Sequence, residues 1–179
     1  MADFDDFAQT LFEEAKRFLE KAKEDANEGQ VAYLHAAINL GFCALEAQVN
    51  GIADDFLTRT ELSPHDRSIL EEREVRLSDG EYQVSNTLKM FRLEDRIQFI
   101  HHRFSNTALD RGASWWSDLK SGLGLRNRLS HPKEAPAIKV TDVERTLAAI
   151  IATVNALFNA VYKADYPAVG LGLDSRLNF

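Results

Sequence analysis

Between Leu34 and Phe56 apolar side chains return at every third or fourth position: Leu34, Ile38, Phe42, Leu45, Val49, Ile52 and Phe56. That period matches the helical repeat and predicts one long helix, from about Gln30 to Thr58, with a nearly continuous apolar stripe. A helix of that length with one apolar side must bury it against other helices. Ala36, Ala37, Gly41, Ala44 and Ala47 are small, which lets a neighbouring helix approach closely. Glu46 and Asn50 are four apart, share a face and flank the stripe. They read either as an ordinary polar helix edge or as a polar pair reaching toward a site on a neighbouring helix.

The same period predicts further helices on both sides. One spans about Asp5 to Ala26, on Phe7, Leu11, Phe12, Ala15, Phe18, Leu19 and Ala22, with acids in its first turn and Gly29 as its stop. Ser63-Pro64 resembles an N-cap followed by proline, and opens a helix to about Arg76. Ser78-Asp79-Gly80 is a turn, and Glu81 to Leu88 reads as a short strand or a loop. Leu93 to Phe104 is helical again. A helix from about Ser114 to Ser130 takes core weight from Trp115, Trp116, Leu119, Leu123 and Leu129. Its Gly122 and Gly124 each cost about 1 kcal/mol in helix propensity and mark a bend or a close approach. Thr141-Asp142-Val143-Glu144 fits a capping box, and the last helix runs on to about Lys163. From Tyr166 the chain is a Gly- and Pro-containing tail, expected to be loosely held. The fold class is all-α.

Composition narrows the function. The 179 residues suit one domain with a sizeable core, and 45% hydrophobic content is the ordinary globular range. No apolar run approaches the roughly 18 residues of a membrane span, and the acidic N-terminus lacks a signal-peptide h-region, so a cytoplasmic protein without membrane contact is expected. The single Cys43 excludes an internal disulfide and any zinc site built mainly from cysteines; among Leu40, Phe42, Ala44 and Leu45 it reads as a small core residue. There is no phosphate-binding glycine loop and no paired metal-ligand spacing. His101-His102 are adjacent, project far apart on a helix and chelate poorly. No metal and no cofactor are expected.

The formal net charge of −7 argues against a general nucleic-acid coat protein. The charge is segregated, however. Met1 to Glu28 holds nine acids and four bases, whereas Lys120 to Val140 holds five cations (Lys120, Arg126, Arg128, Lys133, Lys139) against Glu134 alone. An acidic remainder also suits a partner with a basic surface.

That basic island contains Leu125-Arg126-Asn127-Arg128-Leu129-Ser130-His131-Pro132. Asn127 and His131 are four apart and can share a helix face, as can Arg126 and Ser130. Pro132 disfavours the helical conformation at His131, so the imidazole should sit where the helix unwinds. Arginine and histidine together offer a phosphate clamp and a proton shuttle. They also serve as ordinary cations at a helix C-terminus. Spacing alone discriminates poorly: thirteen arginines and five histidines give about 0.4 chance matches of this arginine–histidine spacing, and two occur. The other, Arg96 to His101, has apolar Ile97 beside the arginine and no following proline, inside a helix expected to be mostly packed. It reads as accidental.

Arg126-Asn127-Arg128-Leu129-Ser130-His131 resembles the signature of the HEPN superfamily, an arginine, a polar residue that is often Asn, and a histidine four to six residues after the arginine. The surroundings are similar too: a helix that ends at the motif, one long helix after it, and a long second helix carrying Glu46 and Asn50. The resemblance implies a HEPN-like antiparallel helical bundle of four to five core helices in a single domain, residues 1–165, with a partly helical insertion at about 62–112 and a tail at 166–179.

The resemblance further implies a metal-independent endoribonuclease, of the kind found among toxins, phage-defence proteins and RNA-processing enzymes. Two protomers would face their motifs into one cleft, and the RNA 2′-hydroxyl would attack its own adjacent phosphate. His131 would serve as general acid and base, Arg126 would bind the scissile phosphate, and Asn127 would orient His131 or bond the substrate. Arg128, Ser130, Lys133 and Lys120 would contact the RNA backbone, with Glu46 and Asn50 in support. Trp115 and Trp116 are base-stacking candidates, although at helical spacing they read first as core. A toxin would need an antitoxin or other regulatory protein. Two competing readings stand beside this one: an inactive HEPN module binding RNA, a nucleotide or a protein partner, and a purely structural helical protein in which the motif is only a cap.

Overall fold

Two helices carry the core, and both are among those whose apolar period is longest. The computed structural model describes residues 2–25, 27, 29–58, 61–134 and 137–179. In chain order the elements are α1 (Ala2–Glu24), α2 (Gly29–Phe56), α3 (Pro64–Glu71), β1 (Arg73–Ser78), β2 (Glu81–Leu88), α4 (Leu93–Ser105), α5 (Ser114–Ser130) and α6 (Val140–Tyr162), followed by a 3-10 turn at Val169–Leu171. Among the described residues the chain is mostly helical with one two-stranded sheet.

The α2 helix packs along α1 and also meets α3, α4, α5 and α6, while α6 packs on α1, α2, α4 and α5. Leu34, Ile38, Phe42, Leu45 and Val49 from α2 meet Val143, Leu147, Ile150 and Leu157 from α6 in one buried cluster. Each such side chain contributes about 1.5–3 kcal/mol on leaving water. By length and composition α6 is apolar enough to cross a membrane, which corrects the expectation that no segment comes near that threshold. Here its Leu147, Ile150, Val154 and Leu157 lie in the core.

Glycines set how close the helices come. A Cβ at Gly41 would sit 2.5 Å from Leu147 Cδ2, and one at Gly122 would collide with the Thr146 side chain. Gly122 therefore marks a close approach of α5 to α6. Gly124 does not, since the nearest atom to a Cβ there is Arg128 Nη1 at 3.8 Å.

Several element ends differ from the sequence expectation. Gly29 opens α2 rather than stopping α1; the expected end at Ala26 lies outside the described residues. The last helix starts at Val140, with Lys139 as its N-cap, because Asp142 Oδ2 accepts the Lys139 N–H at 3.3 Å. Thr141 thus lies inside the helix, and the expected Thr141–Glu144 box does not form. Cys43 is exposed, not buried: one residue past Phe42, it is rotated about a hundred degrees off the apolar stripe.

The insertion changes character after α3. Ser63 and Asp66 exchange hydrogen bonds as a capping box at its start (3.0 and 3.1 Å), with Pro64 at the first turn. The helix stops at Glu71, short of the expected Arg76, because Glu72 turns left-handed (φ 53) and its N–H closes onto the Ser68 carbonyl. The chain continues as β1, antiparallel to β2, with Val75 opposite Val84 and Leu77 opposite Tyr82. Asp79 and Gly80 hold φ of 52 and 85, the pair of left-handed residues a tight hairpin requires. Tyr82 meets His65 of α3 edge-on, ring centroids 5.3 Å apart.

The C-terminal segment was expected to be loose, yet it is tied to α1. The Ser175 and Arg176 N–H groups donate to Glu20 Oε1 (2.7 Å) and Glu13 Oε2 (2.6 Å), and Arg17 Nε donates to the Phe179 carbonyl (2.7 Å). The cause is Glu13. Its carboxylate is buried beside Lys16, whose Nζ lies 2.9 Å away, and it needs further donors that the tail supplies.

Candidate functional site

The end of α5 carries the site, and its core residues fix which way each side chain faces. Trp116, Leu119, Leu123 and Leu125 are buried, which turns half-buried Arg126 toward α2 and leaves Asn127, Arg128, Ser130 and His131 exposed. Trp115 and Trp116 pack edge-to-face at 5.9 Å, Trp116 buried and Trp115 half-buried against the core, which is the packing role their spacing favoured.

Arg126 Nη2 donates to Glu46 Oε1 of α2 at 3.0 Å, and its Nη1 reaches Asn127 Oδ1 at 3.5 Å. The ion-paired side chains keep 31% and 40% of their surface exposed, so water screens the pair and the guanidinium stays accessible. Cys43 lies one turn before Glu46. Although Cys43 is exposed as a residue, the atoms packed around its thiol partly desolvate it and raise its pKa, the Glu46 carboxylate adds to this and Arg126 opposes, which disfavours a reactive thiolate.

His131 caps α5 with φ −133 and ψ 64, off the helical conformation as Pro132 requires. Its backbone N–H donates to the Asn127 carbonyl at 2.9 Å. Among the described residues its ring makes no hydrogen bond that would fix its tautomer. The Asn127 side chain turns to Arg126 instead of the imidazole, which leaves substrate bonding, the other of its two expected roles, rather than orientation of His131.

Two cavities meet at this helix end. One, of about 520 Å³, is lined by Asn127, Arg128, His131, Lys133 and Glu134. The other, of about 350 Å³, is bordered by Arg126 and Asn127 together with Glu46 and Asn50 of α2 and residues of the insertion. Asn127 borders both, so Arg126 and His131 stand on either side of it. Lys120 and Ser130 are exposed and line neither cavity. Arg128 also borders a third cavity of about 290 Å³ with Asp118, Asp142 and Arg145.

Asn50 does not join Glu46 in holding the motif. Its Oδ1 accepts from Arg96 Nη1 of α4 at 2.8 Å. Arg96 is only 4% exposed. Its Nη1 also reaches Glu72 Oε2 at 3.1 Å, and its Nη2 donates to the Leu70 carbonyl at 3.1 Å. Among the described residues its buried Nε has no partner. Burial lowers the Arg96 pKa, while Glu72 and Glu46 oppose that shift. Glu72 Oε1 in turn accepts the Phe91 N–H at 3.2 Å.

Arg96 therefore ties α2, the end of α3 and α4 together beside the motif. Sequence reasoning set it aside as half of an accidental match. A signal was available: Arg96 lies three residues after Leu93 and four before Ile100, on the apolar face of α4, where a cation needs a buried carboxylate. Its supposed partner His101 faces elsewhere, with Nδ1 3.2 Å from the Thr107 carbonyl.

No family model, curated protein or solved structure matches this chain. The chemistry must be read from the site itself. A guanidinium and an exposed imidazole border two adjoining open cavities on either side of an amide, with Arg128 and Lys133 adding positive charge on the His131 side. That set can hold a phosphodiester and move a proton next to it.

Proposed function

We propose that this chain is an RNA-cleaving member of the HEPN superfamily, working as a homodimer. The observation that carries the reading is the junction at Asn127, where a cavity bordered by Arg126 meets a cationic cavity bordered by His131. Arg126 clamps the scissile phosphate and stabilises the charge that develops on it. Glu46 presents the guanidinium from below, and the exposed ion pair yields readily to a phosphate. His131 takes the 2′-hydroxyl proton or protonates the leaving 5′-oxygen, a role suited to imidazole near neutral pH. Arg128 and Lys133 bind flanking phosphates. The reaction needs no metal: the internal 2′-hydroxyl is the nucleophile, and the products are a 2′,3′-cyclic phosphate and a 5′-hydroxyl.

A second copy supplies what one chain lacks. Among the described residues the His131 ring has no orienting partner, and a dimer that faces two motifs into one cleft provides a second imidazole and a second guanidinium. The setting we propose for such an enzyme is a toxin or phage-defence role, held in check by an inhibitory protein partner in the cytoplasm.

The same unanchored ring also favours a second reading, a non-catalytic HEPN module that binds RNA, a nucleotide or a protein partner. RNA incubated with purified protein in EDTA separates them. Cleavage by wild type that is lost in folded Arg126→Ala and His131→Ala supports the ribonuclease. Binding without turnover supports the module, and equal cleavage by all three proteins refutes the ribonuclease.

A further inference from the structure

The insertion adds side chains to the motif that a bare helical bundle would lack. The connector after β2 brings Met90, Phe91 and Arg92 to the rim of the 350 Å³ cavity, whose other walls include Glu72, Arg96 and Arg126. That volume is at the small end of ligand clefts, about 300–1,000 Å³.

The charges inside this cavity cancel in pairs. Glu46 is held by Arg126, Glu72 by Arg96 and Glu94 by Arg92, at 3.0, 3.1 and 2.9 Å. Three carboxylates thus face three guanidiniums, so that apart from Arg126, at the Asn127 edge shared with the adjoining cavity, the lining suits a neutral polar group better than an anion. The adjoining cavity is different, since Arg128 and Lys133 there outnumber Glu134. A nucleotide has the matching division, with a neutral heteroaromatic base and an anionic phosphate.

The rim fits a base in two further ways. Phe91 is half-buried, and the Lys89 Nζ lies 5.1 Å from its ring centroid, which adds a cation beside an aromatic face. Arg92 keeps 74% of its side-chain surface exposed, leaving a planar guanidinium at the opening.

We infer that the insertion builds a nucleobase subsite at Phe91 and Arg92, which receives the unpaired base next to the phosphate held at Arg126. The inference deepens the ribonuclease reading and rests on it for the placement of that phosphate. The occupant is single-stranded RNA, because a base must leave its stack to enter.

Photo-crosslinking of short 4-thiouridine-substituted single-stranded RNA to full-length His131→Ala protein, mapped by mass spectrometry, tests the subsite. Cleavage of the same RNA by the wild-type chain is measured in parallel. Crosslinks are expected within residues 89–92. Phe91→Ala should weaken RNA binding about tenfold, Phe91→Trp should restore it, and Arg92→Ala, at an exposed position, should weaken it without unfolding the protein. Cleavage with crosslinks only elsewhere overturns the subsite and leaves the ribonuclease standing. Crosslinks at 89–92 without cleavage sustain the subsite and overturn the ribonuclease. Absence of RNA binding overturns both, and binding that is indifferent to Phe91 and Arg92 overturns the subsite.

Discussion

Glu46 on α2 and Arg126 on α5 are 80 residues apart in sequence, and their side chains meet at 3.0 Å. The contact fixes a guanidinium at the end of α5 that carries the proposed site. It aims a guanidinium at a cavity instead of letting it wave in water, and it does so from the longest helix of the chain. Because both partners remain partly exposed, the pair orients more than it stabilises.

Glu46→Ala is therefore expected to lower kcat/KM for RNA by about ten- to a hundredfold, the scale of a mispositioned catalytic group. Its folding stability should stay within about 1 kcal/mol of wild type. Glu46→Gln keeps an acceptor at Oε1 and should lie between the two. Steady-state kinetics and urea denaturation measure both quantities, and a large stability loss with unchanged kinetics would reverse the assignment.

Arg96 should behave in the opposite way. It is buried and serves three acceptors on α2, the end of α3 and Glu72. Arg96→Ala leaves those groups uncompensated and is expected to destabilise the fold by about 3–5 kcal/mol. Arg96→Lys should recover little, since one ammonium cannot reproduce the planar fork. Arg126→Ala, measured beside them in urea, should change stability by no more than about 1 kcal/mol.

The two glycines of α5 give a sharper contrast. Gly122→Ala puts a methyl group into the Thr146 side chain, whose hydroxyl is already tied to the Asp142 carbonyl. Overpacking of this kind costs about 1–3 kcal/mol and outweighs the propensity gain. Gly124→Ala meets nothing closer than Arg128 Nη1 at 3.8 Å and should stabilise by up to about 1 kcal/mol. Thermal denaturation of the two variants should shift Tm in opposite directions.

The tail should come off α1 in acid. Burial alone would raise the Glu13 pKa, but the Arg176 N–H, Lys16 and the Arg176 charge outweigh it and hold the carboxyl below the usual glutamate range. The unfolded or undocked chain therefore binds that proton more readily. The stabilisation is complete above the ordinary glutamate pKa and is lost as pH falls through the depressed folded value. Amide exchange at Ser175 and Arg176 should accelerate over that window in wild type. In Glu13→Gln it should already be fast at neutral pH.

The long helices were legible because their apolar period repeats over many turns, and α2 and α6 accordingly form the core expected of them. Short-range signals were weaker. Glu72 ends α3 by taking a left-handed conformation that its identity does not announce, so β1 was read as helix. Asp142, not Glu144, reaches back to cap α6. The motif itself was visible as Arg126, Asn127 and His131, and so was Glu46 as a polar residue beside the stripe. Arg96 was hidden for a physical reason: what makes it important is a carboxylate 24 residues away and an amide 46 residues away, and no local pattern encodes those meetings. Cys43 was misread because one residue of helical rotation separates the core face from the site face.

The ends left on cleaved RNA test the central proposal most directly. Wild-type protein in EDTA should yield 2′,3′-cyclic phosphate and 5′-hydroxyl ends, and folded Arg126→Ala and His131→Ala should yield none above background. Products bearing 3′-hydroxyl ends, or equal yields from all three proteins, would contradict it.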